Sequence, residues 1–141
     1  MLSIRVVAST WEIKKDFRNL RVLLAEDSTL NRLVATTILK RYEIYPDKAI
    51  NGKEVIEKLS SEMQYDLILM DVQMPEMDGI EATQYIRQKL KLDIPIIAVT
   101  ANAIKEELDS YLLEGMNDYI TKPFEEKTLI DKIIRWAPIS K

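Results

Sequence analysis

The stretch Leu67-Ile68-Leu69-Met70-Asp71-Val72-Gln73-Met74-Pro75-Glu76-Met77-Asp78-Gly79 sets a continuous apolar run of four residues against a segment that opens on an aspartate and carries Pro75 and Gly79. A run so short and uninterrupted reads as a strand buried on both faces, and residues 71–79 read as a loop. Ile80, Ala82, Thr83, Ile86 and Leu90 then recur at helical spacing, so a helix turned toward a sheet follows. Strand, loop and helix in that order are the repeating unit of a parallel α/β fold.

The same unit recurs in both directions. Upstream, Val22-Leu23-Leu24-Ala25 is a second such run, and Ser28 or Thr29 can cap a helix that ends near Arg41. Its apolar side carries Leu30, Leu33, Val34 and Ile38, with Thr37 beside them; the arc is assigned to the core, a docking surface being the lesser alternative. Residues 44–49 read as a strand with Pro46 marking a sheet edge, and Asn51-Gly52 as the turn into a helix through Val55, Ile56 and Leu59. Downstream come a strand at 96–99, a helix over 104–113 stopped by Gly115, a short strand at 118–121 and the breaker Lys122-Pro123. A last helix over 125–136 aligns Leu129, Ile130, Ile133 and Ile134, with Pro138 just beyond it. Five strands alternate with five helices, which implies an α/β chain with a parallel sheet covered on both faces.

The chain has 141 residues, enough for one domain with a buried core. That domain is placed at 21–137, with 1–20 as an extension or linker from a preceding domain and 138–141 as a tail. A net charge of −3 lacks the basic excess that a nucleic-acid surface requires. There are no cysteines and no histidines, so disulfides, thiolate chemistry and imidazole bases are excluded, leaving carboxylates, hydroxyls, lysines and backbone. Val6-Val7-Ala8 is too short for a secretory or membrane segment, so no membrane contact and a cytoplasmic location are expected.

In open parallel sheets, sites form outside the carboxyl ends of the strands. Those ends deliver Glu26 and Asp27, Asp71, Thr100 and Lys122. Three carboxylates at one edge repel one another unless a cation neutralises them, and an all-oxygen donor set suits a hard ion such as Mg²⁺. Asp71 can then act as a nucleophile toward phosphorus, with Lys122 supplying an ammonium and Thr100 a hydroxyl. Singly, each of these residues is an ordinary loop or strand-end residue; only their coincidence is informative.

The segments Ala25-Glu26-Asp27-Ser28, Met70 through Gly79, Val99-Thr100-Ala101 and Lys122-Pro123-Phe124 resemble those of response-regulator receiver domains, in the family's order, over residues 21–136. The resemblance implies a flavodoxin-like doubly wound sheet of order 2-1-3-4-5. It further implies Asp71 as phosphoacceptor; Glu26, Asp27, Asp71 and the Gln73 backbone carbonyl as ligands of Mg²⁺, for which Mn²⁺ can substitute; and Lys122 as the contact to the phosphoryl group. Thr100 and Tyr119 would form a switch that alters the face built by the fourth helix, fifth strand and fifth helix. Glu26 stands where the family often has Asp, and Gln73 and Asn102 stand where side chains govern access of water. The implied donor is phosphohistidine on a histidine kinase or histidine phosphotransfer protein, which this histidine-free chain cannot supply itself. Phe124 is a candidate contact to that donor, a homodimer is possible, and an origin within a hybrid sensor histidine kinase is favoured over a single-domain regulator. On this reading any enzymatic activity is the catalysis of the chain's own aspartyl phosphorylation and dephosphorylation. A binding-only pseudo-receiver and a flavodoxin-like FMN electron carrier are the alternatives.

Overall fold

The computed structural model describes residues 17–138. Within them β1 (Val22–Ala25), β2 (Asp47–Ala49), β3 (Leu67–Asp71), β4 (Ile96–Thr100) and β5 (Asp118–Thr121) alternate with α1 (Thr29–Lys40), α2 (Gly52–Leu59), α3 (Gly79–Gln88), α4 (Lys105–Leu113) and α5 (Glu126–Trp136). The strands form one sheet of order β2-β1-β3-β4-β5, and every neighbouring pair is parallel. This is the flavodoxin-like doubly wound arrangement that the family resemblance implied. No helix among the described residues is long and apolar enough to cross a membrane.

Every residue of β1, β3 and β4 is buried, which explains why these strands are continuous rather than alternating in hydrophobicity. Alternate side chains serve opposite faces. Val22, Leu24, Leu67, Leu69, Ile97 and Val99 join Ala35, Ile38 and Leu39 of α1 and Leu129, Ile130 and Ile133 of α5. Leu23, Ala25, Ile68, Met70, Ile96 and Ala98 join Val55 of α2, Ala82 and Ile86 of α3, and Leu108 and Tyr111 of α4. Each fully buried aliphatic side chain of this kind contributes about 1.5–3 kcal/mol. Phe17 lies in the first cluster, edge-on to Tyr42, so the core draws on residues before Arg21. Residues 1–16 of the proposed extension and 139–141 of the tail lie outside the described residues.

The structure corrects the sequence reading at several points. Most of the α1 arc assigned to the core is solvent-facing, Leu30 being 69% exposed and Leu33 60%, with Val34 and Thr37 also exposed; only Ile38 of that arc is buried, beside the fully buried Ala35 and Leu39. The helix is apolar on more than one side, and the sheet takes the narrower one. Phe124 is buried in the first core cluster and is not a surface contact. The second strand is shorter than 44–49, because Ile44 N–H is used to close α1 on Leu39 carbonyl oxygen, 3.0 Å away, and Pro46 has no N–H to give. Conversely, β3 and β4 each run one residue further, so Asp71 and Thr100 end strands rather than begin loops.

Candidate phosphoacceptor site

The strand extension fixes the site. Asp71 is paired with Val99 in register, and Val72 N–H bonds to Val99 carbonyl oxygen at 3.0 Å, so the aspartate leaves the sheet from rigid backbone. The following loop is pinned by Gly79, whose N–H reaches Val72 carbonyl oxygen at 3.0 Å. A Cβ there would lie 2.3 Å from the Asp71 carbonyl oxygen, so only glycine lets α3 start this close to β3. Asp78 caps α3 by accepting from Glu81 N–H, and Glu81 returns the bond to Asp78 N–H. That Asp-x-x-Glu signature was present in the sequence and places the helix start one residue before Ile80.

Glu26 sits one residue past β1, its N–H bonded to Ala49 carbonyl oxygen at 2.9 Å. Ser28 caps α1 through Asn31 N–H, and its own N–H donates to Glu26 Oε2 at 3.0 Å. Arg32 holds the same turn by donating from Nη1 to the Glu26 carbonyl oxygen at 2.7 Å. Ser28 is the cap that the sequence offered, whereas Arg32 is a supporting residue that sequence reasoning did not single out; its place on the first turn of α1, five residues beyond Asp27, was the available signal.

Lys122 crosses from the end of β5, its N–H bonded to Thr100 carbonyl oxygen at 2.8 Å and its peptide to Pro123 in the cis form. Its ammonium donates to Asp71 Oδ2 at 3.0 Å and lies 2.8 Å from Glu26 Oε1. Asp71 Oδ1 accepts from Gln73 N–H at 3.0 Å. Glu26 is 1% exposed and Asp71 3%. Burial pushes the Glu26 carboxyl above its ordinary pKa, Asp71 adding to the effect while Lys122 opposes it. For Lys122 burial pulls downward, but the close carboxylates of Glu26 and Asp71 outweigh it and hold the ammonium above its usual value.

Carboxylate oxygens of Glu26, Asp27 and Asp71 lie within 4.8 Å of one another, Asp27 on the exposed rim. The contact of Glu26 Oε1 with Lys122 is ionic only: this buried oxygen has no hydrogen-bond donor in proper geometry. One ammonium against three carboxylates leaves an excess of negative charge, and Glu26 Oε1, buried and held only by its ion pair with Lys122, keeps ligand capacity for a cation. The residues therefore fit a hard divalent cation with oxygen ligands. The cleft they share is about 300 Å³, and Gln73, Thr100 and Asn102 also line it. Thr100 is buried, and its Oγ1 accepts from Asn102 N–H at 3.1 Å. Tyr119, half-buried on β5, is paired in register with Ala98 and lies under Lys132. A larger cleft of about 490 Å³ opens elsewhere, lined by Arg18, Arg21, Asp47 and Tyr65, and it does not include the acidic cluster.

Residues 22–134 match the response regulator receiver domain family. The autoinducer 2 sensor kinase/phosphatase LuxQ of Vibrio harveyi is 40% identical over 116 residues, 82% of this chain and 13% of the relative, so the chain spans only a small part of that protein's length. Among solved structures, the receiver domain of sensor histidine kinase PA1611 from Pseudomonas aeruginosa, with a magnesium ion coordinated in its active site cleft, is 36% identical at a TM-score of 0.75, covering 83% of this chain and 96% of that one. The receiver domain of Saccharomyces cerevisiae Ssk1, in complex with the histidine phosphotransfer protein Ypd1, is 32% identical at a TM-score of 0.77, covering 84% and 88%.

Proposed function

This chain belongs to the response regulator receiver domain family of two-component signalling, and from that premise we propose that Asp71 accepts a phosphoryl group from a phosphohistidine. The observation that carries the proposal is the Lys122 ammonium held 3.0 Å from Asp71 Oδ2 and 2.8 Å from the otherwise orphaned Glu26 Oε1. In the reaction a carboxylate oxygen of Asp71 forms the new bond to phosphorus, the P–N bond to the donor imidazole breaks, and that nitrogen keeps the electron pair and takes up a proton. Lys122 orients Asp71 before transfer and neutralises phosphoryl oxygens after it. Glu26, Asp27, Asp71 and the Gln73 carbonyl would hold Mg²⁺, or Mn²⁺ in its place, which supplies charge neutralisation for the phosphoryl oxygens. Thr100 would exchange its bond to Asn102 for one to the phosphoryl group, and Tyr119 would turn with it.

The exposed Leu30, Leu33 and Val34 give a histidine phosphotransfer partner an apolar helix face beside the cleft, a role the buried Phe124 cannot share. The domain itself is assigned to 21–137, with Phe17 and Leu20 packed onto its core from the preceding residues, within a hybrid sensor kinase, on the cytoplasmic side. The flavin alternative needs an anion-binding loop after β1, and Glu26 and Asp27 stand there instead. The test is mass spectrometry of the purified chain after incubation with Mg²⁺ and a small acyl phosphate. A base- and hydroxylamine-labile gain of one phosphoryl group, absent in Asp71→Asn, is expected; no uptake from any donor would sink the proposal.

A further inference from the structure

Asp118, the first residue of β5, is buried, and three donors hold it. Its Oδ1 accepts from Tyr119 N–H at 2.8 Å and from Lys132 Nζ at 2.7 Å, and its Oδ2 accepts from Trp136 Nε1 at 2.8 Å. Lys132 and Trp136 are four residues apart on α5 and so present side chains on one face toward β5. These bonds hold the Asp118 carboxyl below its usual pKa although burial, the largest single influence, works against them.

The same Lys132 ammonium lies 5.1 Å from the centre of the Tyr119 ring, within cation–π range. Its side chain is three-quarters buried, at 24% relative exposure. The carboxylate fixes the cation, and the cation sits over the ring. When the ring leaves this rotamer the ammonium cannot follow it without giving up Asp118. In this structure Thr100 is bonded to Asn102 while Tyr119 keeps the rotamer that Lys132 covers.

We propose that Lys132 is a positioning residue that, anchored by Asp118, latches Tyr119 in its unphosphorylated rotamer and sets how readily phosphorylation of Asp71 reshapes the face formed by α4, β5 and α5. This rests on the reading of Tyr119 as a switch. Release of the ring also uncovers the ammonium, so one motion changes both the shape and the charge that a partner meets on that face. By linkage, a ligand or modification shifts the two rotamers only through its differential interaction with them, and the latch supplies such a difference on the unphosphorylated side. A cation–π contact of this exposure corresponds to a roughly two- to fivefold shift in the rotamer ratio.

The experiment reads Tyr119 χ1 populations from three-bond NMR couplings in the full chain, before and after phosphorylation with Mg²⁺ and a small acyl phosphate. In Lys132→Met the unphosphorylated protein should move two- to fivefold toward the rotamer that the wild type adopts when phosphorylated, and Lys132→Arg, which restores a cation, should return it. Lys132→Gln keeps a donor for Asp118 without the charge and should behave as Lys132→Met, so the result does not depend on one variant folding. Unchanged populations in Met and Gln variants, with a wild type that does respond, overturn the latch alone. A wild-type Tyr119 that never changes rotamer overturns the switch reading on which the latch rests.

Discussion

Lys122 and Glu26 face one another at 2.8 Å, an ammonium and a buried carboxylate separated by most of the chain and brought together at the carboxyl edge of the sheet. The same ammonium serves Asp71, so one cation answers two buried anions. Removing one partner of a buried ion pair costs far more than the pair contributes, because the remaining charges stay desolvated.

Lys122→Ala should therefore leave a cleft that is less stable without a divalent ion and more strongly stabilised by one. Thermal melts with and without Mg²⁺ check this. The Mg²⁺-induced rise in Tm should be larger in the variant than in the wild type, and equal rises would contradict the electrostatic role given to Lys122.

The exposed and buried sides of α1 make opposite predictions. Leu33→Asp, on the solvent face, should change stability by less than about 0.5 kcal/mol, leave phosphorylation by a small acyl phosphate intact, and slow transfer from a phosphohistidine partner at least about tenfold, since an interface anchor is lost. Leu39→Ala, fully buried, should cost about 2–5 kcal/mol in urea unfolding. Equal partner transfer in Leu33→Asp would remove the docking role of this face.

Gly79→Ala should destabilise the protein by about 1–3 kcal/mol through overpacking, because the new methyl would meet the Asp71 carbonyl oxygen and Met70 Cγ. The loop that relaxes the clash directly follows Asp71 and supplies the Gln73 N–H that holds its carboxylate, so the rate of phosphorylation should fall as well. Urea denaturation and the initial rate of phosphoryl uptake measure the two effects; a variant as stable and as fast as the wild type would refute the close approach.

Tyr65 supplies a pH dependence with a defined sign. Burial, reinforced by its hydrogen bond to Asp47 at 2.6 Å, raises its phenol from 10.0 to about 12, against the smaller opposing influence of Arg21. A folded pKa above the unfolded one favours the protonated form, so this stabilisation is fully present below the unfolded value and is lost as pH rises through about 12. In a spectrophotometric titration of phenolate absorbance, Tyr65→Phe should remove a late-titrating tyrosine, and Asp47→Asn should bring that titration earlier.

The sequence by itself determined the alternation of strand and helix, the parallel sheet and the edge at which Glu26, Asp27, Asp71, Thr100 and Lys122 stand. Strands covered on both faces must be apolar throughout, and side chains just beyond their carboxyl ends have one place to go. Only the tertiary structure decided which side of α1 is covered. Leu30, Leu33 and Val34 form as good an apolar arc as Ala35, Ile38 and Leu39, and the small Ala35 lets the helix lie close on the sheet along the latter. Phe124 is likewise drawn inward, and Asp118, Lys132, Trp136 and Tyr119 meet only once α5 lies against β5. Periodicity along a chain defines faces; the rotation of each helix about its own axis is fixed by the packing of its neighbours, which no local pattern contains.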